Sequence, residues 1–503
     1  MAEKNRASSL AIVEEVTAGT PVAPTLGTQF IALQEGFSLN PNFNTLENAE
    51  IRSSIGLSKL IQGLESPEGA FDHYLRHSGV EGQAPNYGVL LKALLGATST
   101  NGTERLTAAG STVSVVNLAA GGGDFAKGKA VLIKDGTNGY AIRPVDSVAV
   151  NALTLGFNLE NAPAAGLGAG KCVNYSPANE GHPTLTAWLY RGGGGALEVL
   201  AGTRIGSASI SVAAGELVNS SYSFQGTKYH FNPINITATD TFLDFTDDDG
   251  TFAAQVSTGL YRDPHELAQA LEDALNATAS TETYTVVYQD TDGKFKITST
   301  STLLSLLWNT GANTANTIGD KIGFSTAADD VGNPGATGYT SDNAQSWAPS
   351  LTPSYDSADP QAAKNNEVLI GDADDLVCFC ASSIDITVTN DIQDVACVCA
   401  ESGVQEKVIN QRSIEINLVG VLSRHDADKF LKFRSNADVK FLYNFGSKSG
   451  GNWVAGTACS IYVPKATISS HEAGDDNGIV TLEISIRPYV PTDGSGEFFI
   501  NFL

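Results

Sequence analysis

Apolar and polar residues alternate at a period of two in segment after segment of this chain. Ile384, Ile386 and Val388 do so, as do Ile414, Ile416 and Leu418, and Ala208, Ile210 and Val212. A strand projects successive side chains to opposite faces, so each such run folds with one dry face and one wet face. Three stretches carry helical spacing instead. Leu90, Leu91, Leu94 and Leu95 follow Pro85 and stop at Gly96. Asp263, Pro264 and Glu266 read as N-cap, N1 and N3 of a helix whose apolar face is Leu267, Leu271, Ala274 and Leu275. Ser423 caps a third, with Asp426 at N3, and this helix is expected to bury Ala427, Phe430 and Leu431. The expected fold class is mainly β.

With 503 residues the chain has room for about three domains at roughly 100–200 residues each. Its net charge of −25 opposes general affinity for phosphate backbones or anionic membranes. About half of that excess lies in residues 237–350, where sixteen acidic residues face four basic ones. No apolar run approaches the roughly 18 residues that span a bilayer, and Glu14 and Glu15 interrupt the N-terminus before any signal-peptide core. Synthesis and folding in a cytoplasm, without membrane insertion, are expected. The cysteines agree: Cys378 and Cys380, and Cys397 and Cys399, form two Cys-x-Cys pairs in apolar stretches. They are expected to be buried free thiols, since zinc sites use wider spacing.

Changes of texture divide the chain. Residues 1–100 with 178–236 read as a first module, interrupted by 101–177, a Gly-rich, all-β insertion. Residues 237–350 read as an α+β insertion, with the 264–275 helix and a Tyr284–Tyr288/Phe295–Ile297 hairpin around Asp292 and Gly293. Residues 351–374 form a linker, and 375–503 a second module. Both modules share one order, strands, helix, strands, which points to an internal duplication. Thr28 to Leu39 reads as a strand. Residues 40–66 then read as a long loop, holding Ile51, Ile55, Leu57, Leu60 and Ile61 without an obvious partner in the chain. Loops of that length in compact domains usually carry function, and these five residues are the candidate contacts to another subunit.

Motifs of chemistry fail on inspection. Gly123 to Ala130 nearly spells a phosphate-binding loop, but Ala130 has no hydroxyl for magnesium and a strand follows where a helix is needed. Gly166 to Gly170 lacks dinucleotide-loop spacing. His73 and His77 flank a strand end without the glutamate of a metalloprotease. Asp247, Asp248 and Asp249 lack the spaced ligands of a calcium loop and read as a solvated turn. No catalytic residue, cofactor or metal is expected.

Several stretches do resemble a known family. Glu15, Val16, Thr17, Ala18, Gly19, Thr20 and Pro21, then Gln29, Phe30 and Ile31, then residues 63–75 and 90–96, are similar to the opening of siphophage major tail tube proteins. Residues 206–226 and 382–488 are similar to them too. The resemblance implies β-sandwich or barrel-like tube modules, each with a flanking helix, duplicated here; the abrupt texture changes of the two insertions lead us to expect them to project outward as decorations. It further implies a non-enzymatic virion subunit that self-assembles into stacked rings. A trimer with pseudo-sixfold symmetry is expected, with a hexamer as the alternative. Tail terminator, tail tip and tape measure proteins would be partners, and genomic DNA would pass through without specific binding. Two rivals remain open. One is a distal tail or baseplate hub protein, told apart by copy number. The other is a carbohydrate-binding or adhesion protein, told apart by glycan binding to residues 237–350.

Overall fold

The computed structural model describes residues 5–50, 56 and 58–503. They form two compact units. The larger comprises the described residues of Ala11–Thr186, with Ala201–Lys228 and Pro353–Leu503; the smaller comprises residues 5–10, Ala187–Leu200 and Tyr229–Thr352. Antiparallel strands dominate both, and the chain is mainly β as expected.

In the larger unit, the elements that matter for function are β1 (Ser38–Asn40), β2 (Glu68–Tyr74), α1 (Gly88–Leu95), β3 (Ala196–Ala213, of which residues from Ala201 onward belong to this unit), β4 (Asn219–Gln225), β5 (Ala381–Ala396), β6 (Val404–Val421), α2 (Ala427–Ser435), β7 (Asn452–Asp476) and β8 (Ile479–Pro488). The strands pair antiparallel in the spatial order β1, β2, β4, β3, β5, β6, β8, β7. The first four strands therefore have the order of the last four: a strand, its hairpin partner, the last strand of the set, then the one before it.

The registers correspond as well. One cross-strand row runs Leu39, Gly69, Phe224, Ile205; another runs Ile386, Ile416, Ile486, Ile468. Immediately beyond each row a bulge sets one extra residue into the strand, between Ile205 and Ser207 in β3 and between Ile468 and Ser470 in β7. Gly69 is glycine because its neighbours fill its place. A Cβ there would sit 2.4 Å from the Phe224 ring and 2.6 Å from Leu39. The sheet's dry face is built from the alternating apolar residues, including Ile210, Ile386, Ile416, Leu418 and Ile484, all buried. At about 25 cal/mol per Å2 of apolar surface, this burial is the main stabilising contribution.

Further strands extend the unit. Phe499–Phe502 pairs with β7 on one side and Cys172–Pro177 on the other, and Cys172–Pro177 pairs with Gly96–Asn101. Ala130–Lys134, Gly139–Ala149, Ala152–Leu155 and Val115–Asn117 enclose a core of Val116, Val131, Val145 and Leu153.

In the smaller unit, helix Pro264–Asn276 is capped as its sequence dictates. The Asp263 carboxylate accepts from the Glu266 amide at 2.9 Å, with Pro264 in the first turn. Leu267, Leu271 and Leu275 pack with the hairpin Tyr284–Gln289/Lys294–Ser299 and with Trp308 in one core. Phe242–Asp247, Gly250–Gln255, Leu304–Leu306 and Asp330–Asn333 form its four-stranded sheet.

Four expectations need correction. Thr28 to Leu39 is not one strand but a 3-10 turn, a two-residue strand at Phe30–Ile31, and β1. The supposed loop 40–66 has strands at both ends, Phe43–Leu46 paired with Ile61–Glu65. Helix α2 turns Phe430 and Leu431 outward, 45% and 58% exposed, and exposes Ala427 too. Its buried side carries the ion pair of Lys429 and Asp426, 3.3 Å apart, while Phe430 and Phe433 meet the His471 ring of β7 at 5.4 and 6.2 Å. Finally, Cys378, Cys380 and Cys399 are exposed and Cys397 is half-buried; only Cys172 and Cys459 are buried. Neither Cys-x-Cys pair lies within a strand: β5 begins at Ala381 and ends at Ala396, between them.

Candidate assembly surface

The wet face of the eight-stranded order is chemically uniform. One row across it reads Tyr74, Asn219, Ser211, Asp385, Asn417, Ser485, Ser470. The next reads Asp72, Ser221, Ser209, Thr387, Glu415. Flanking rows are Ser38, Ala70, Ser223, Ser207, Thr389, Ser413 and Ser383, Val419, Glu483, Glu472. These four rows hold five carboxylates and no lysine or arginine. Hydroxyls bond along them: Ser207 to Ser223 at 2.7 Å, and Ser485 Oγ donates to Asn417 Oδ1 at 2.6 Å. Within these rows a phosphate backbone finds no counter-charge; just beyond them on the same face stand Arg204, opposite Gln225, and the exposed Arg487, opposite Thr467.

The two edges of this order are open. Residues 467–476 of β7 pair with β8 on one side and with no described strand on the other, and β1 pairs with β2 alone among the described residues. Unpaired strand edges are templates for pairing with another chain. Between β3 and β5 the same kind of edge is already joined, in the register Ser207 to Thr389 through Ala213 to Ser383. At that joint Asn390 Nδ2 donates to the Leu94 carbonyl (3.1 Å) and Arg412 Nη1 to the Leu95 carbonyl (3.2 Å), meeting the last turn of α1. Arg412 is held by Glu497 at 2.9 Å, both largely buried.

Of the five candidate contacts, Ile51, Ile55 and Leu57 lie outside the described residues. Leu60 and Ile61 are exposed, as are Phe43, Leu46 and Leu64 near them. The wet face was missed by sequence reading although period two marks its residues, because alternation does not say which strands become neighbours.

The remaining motifs are structural. In the Gly123–Ala130 segment, Lys129 Nζ donates to the Asp124 carbonyl at 2.8 Å, and strand Ala130–Lys134 follows directly. The Asp247 carboxylate accepts the amides of Asp249 (2.9 Å) and Gly250 (3.1 Å), Asp248 that of Thr302 (2.7 Å), and Asp249 that of Thr281 (2.7 Å). Among the described residues no group of three or more His, Cys, Asp or Glu is placed to hold a metal ion. No described helix is long and apolar enough to cross a membrane.

His73 and His77 are both buried among rings. His73 stacks on Tyr222 at 5.5 Å, and His77 lies 5.9 Å from both Phe445 and Phe502. Burial pushes both imidazoles down from 6.5 to about 4. The unfolded chain therefore takes up protons that the folded chain refuses between these values, so stability is lost as pH falls through that window. The expected loss is about 2–3 kcal/mol per histidine by about pH 4.5. His77→Phe should remove roughly half of this decline, read by urea unfolding at neutral and acid pH; an unchanged slope would refute it.

No curated protein sequence matches the chain. A family model described as phage tail tube protein matches residues 5–261, just over half of the 503 residues. That match spans β1 to β4 and α1, the first of the two like-ordered strand sets. The chain thus belongs to the phage tail tube proteins, structural components of the bacteriophage virion that self-assemble into the tail's tube and associate with other tail proteins.

Proposed function

We propose that the protein is the tube subunit of a long, non-contractile phage tail, stacking as rings into a conduit for genomic DNA. One observation carries this reading: eight antiparallel strands form two like-ordered sets with a hydroxyl-rich, acidic face and two open edges. Residues 1–100 with 178–236 and residues 375–503 are two copies of one tube module; residues 101–177 and 237–350 are insertions, and 351–374 is a linker. Two modules per chain favour a trimeric ring with pseudo-sixfold symmetry. The wet face lines the lumen, where its carboxylates and hydroxyls let DNA slide without adhering. Leu60 and Ile61, with Ile51, Ile55 and Leu57, belong to the contact between successive rings. The tail terminator, tail tip and tape measure proteins complete the assembly, which requires no catalysis.

Negative-stain imaging of the purified chain tests the assembly: rings or tubes are expected, and a compact monomer at high concentration overturns the reading. The lumen is tested by Asp385→Lys, Glu415→Lys and Glu483→Lys combined. Tubes of this variant should retain short duplex DNA at low salt and release it as salt rises, while unmodified tubes retain none. Equal DNA retention by both would place the face elsewhere.

A further inference from the structure

We infer that the joint inside the chain, between β3 and β5, is the template of the joint between copies, so that the free edge of β7 takes β1 of a second copy in one definable register. The inference rests on the tube reading and deepens it by naming the surface and its partner.

The register follows from the correspondence of the two strand sets. Leu39 corresponds to Ile386 and Gly69 to Ile416, through their rows. Phe224 corresponds to Ile486, and the bulges before Ser207 and Ser470 correspond to each other. Within the chain, Ser207 faces Thr389, Ser209 faces Thr387 and Ser211 faces Asp385. Transferred to the open edges, Ser470 faces Asn42 of the second copy, Glu472 faces its Asn40, and Gly474 faces its Ser38. These pairs lie on the wet face, so its hydroxyl and carboxylate rows continue from one copy to the next. Pro41 has no amide to donate and so leaves one ladder position open, as prolines on edge strands do.

The helices make the same point independently. Each ends on a left-handed residue, Gly96 after α1 and Asn436 after α2. Counted back from these, Leu90 and Leu91 correspond to Phe430 and Leu431. Leu90 and Leu91 are buried, whereas Phe430 and Leu431 are exposed. The β5–β6 hairpin crosses the last turn of α1 through Asn390 and Arg412. The hairpin that corresponds to it is formed by the paired strands Phe43–Leu46 and Ile61–Glu65, where exposed Phe43 stands at the place of Asn390. In the second copy this hairpin crosses α2 and sets Phe43 over Phe430 and Leu431. Uncovered apolar side chains on one side are matched by uncovered apolar side chains on the other.

Two experiments decide it. In the full chain with Cys378, Cys380, Cys397 and Cys399 replaced by serine, Glu472→Cys is combined with Asn40→Cys. Mild oxidation of the assembled protein should give chains linked up to the size of one ring. The opposite-face pair Ala473→Cys with Asn40→Cys should give none. Tubes that form without the 472–40 link, or that link equally in the control, overturn the register while leaving the tube reading intact; absence of any assembly before the cysteines are introduced overturns the tube reading itself. Second, Leu431→Asp should leave the melting temperature nearly unchanged, because that side chain is 58% exposed, and should abolish rings; Phe430, whose ring meets His471 at 5.4 Å, is left in place. Rings that persist would refute the covering of α2.

Discussion

Asn501→Leu should lower the stability of the larger unit by about 3–5 kcal/mol, one of the two largest single-residue effects expected in this protein. Asn501 is wholly buried in the strand between β7 and Cys172–Pro177. Its Oδ1 accepts the Ala130 amide at 3.0 Å and Asn174 Nδ2 at 2.9 Å; its Nδ2 donates to the Gly128 carbonyl at 3.0 Å and the Ser460 carbonyl at 3.4 Å. Leucine fills the same volume but meets none of these groups, and each buried donor or acceptor left unpaired costs about 1–3 kcal/mol. The cost is less than the sum, because Asn174 Nδ2 also reaches the Gly128 carbonyl at 3.4 Å. Urea unfolding checks the result: the midpoint should fall with the slope preserved. A shift under about 1 kcal/mol would show that the network is dispensable.

Trp308→Ala should cost the smaller unit about 3–5 kcal/mol. The indole is among the largest fully buried side chains, its ring 5.0 Å from that of Phe324 and tilted by 33° to it, with Nε1 donating to Asp330 at 2.9 Å. Gly319 lies against it, where a Cβ would approach the ring to 2.9 Å, so the surrounding backbone is already close and cannot readily collapse into the void. Trp308→Phe keeps the packing and loses the donor to Asp330, so it should cost about 1–3 kcal/mol. Hydrogen exchange by mass spectrometry reads both. Amides of helix Pro264–Asn276 and of the Phe242–Asp247 strand should exchange faster in the order wild type, Trp308→Phe, Trp308→Ala. Equal protection in all three would deny Trp308 its place in the core.

The contrast between the two helices shows where sequence reading stops. In α1, Leu90, Leu91, Leu94 and Leu95 are apolar and buried. In α2 the same reasoning pointed Phe430 and Leu431 inward, yet both are well exposed, Phe430 keeping only an edge contact with His471, while Lys429 and Asp426 pair beneath the helix. Helical spacing defines which residues share a face; it does not state whether that face meets the chain's own core or another molecule. The cysteines fail similarly: apolar surroundings in sequence did not foretell that Cys378, Cys380 and Cys399 lie just outside strand ends, in solvent.

By itself the sequence determined the strands with clear alternation in β3, β5 and β6, the cap of helix Pro264–Asn276 and the stop of α1 at Gly96, the turn at Asp247, and an excess of negative charge. These are local matters, decided by side-chain alternation, φ preferences and hydrogen bonds within a few residues. Only the tertiary structure decided that β3 pairs with β5, that serines, threonines and carboxylates from eight strands share one face, and that β1 and β7 end the order with open edges. Pairing between strands separated by more than a hundred residues is selected by which apolar faces can be buried together, and a period of two is the same whichever neighbour a strand takes.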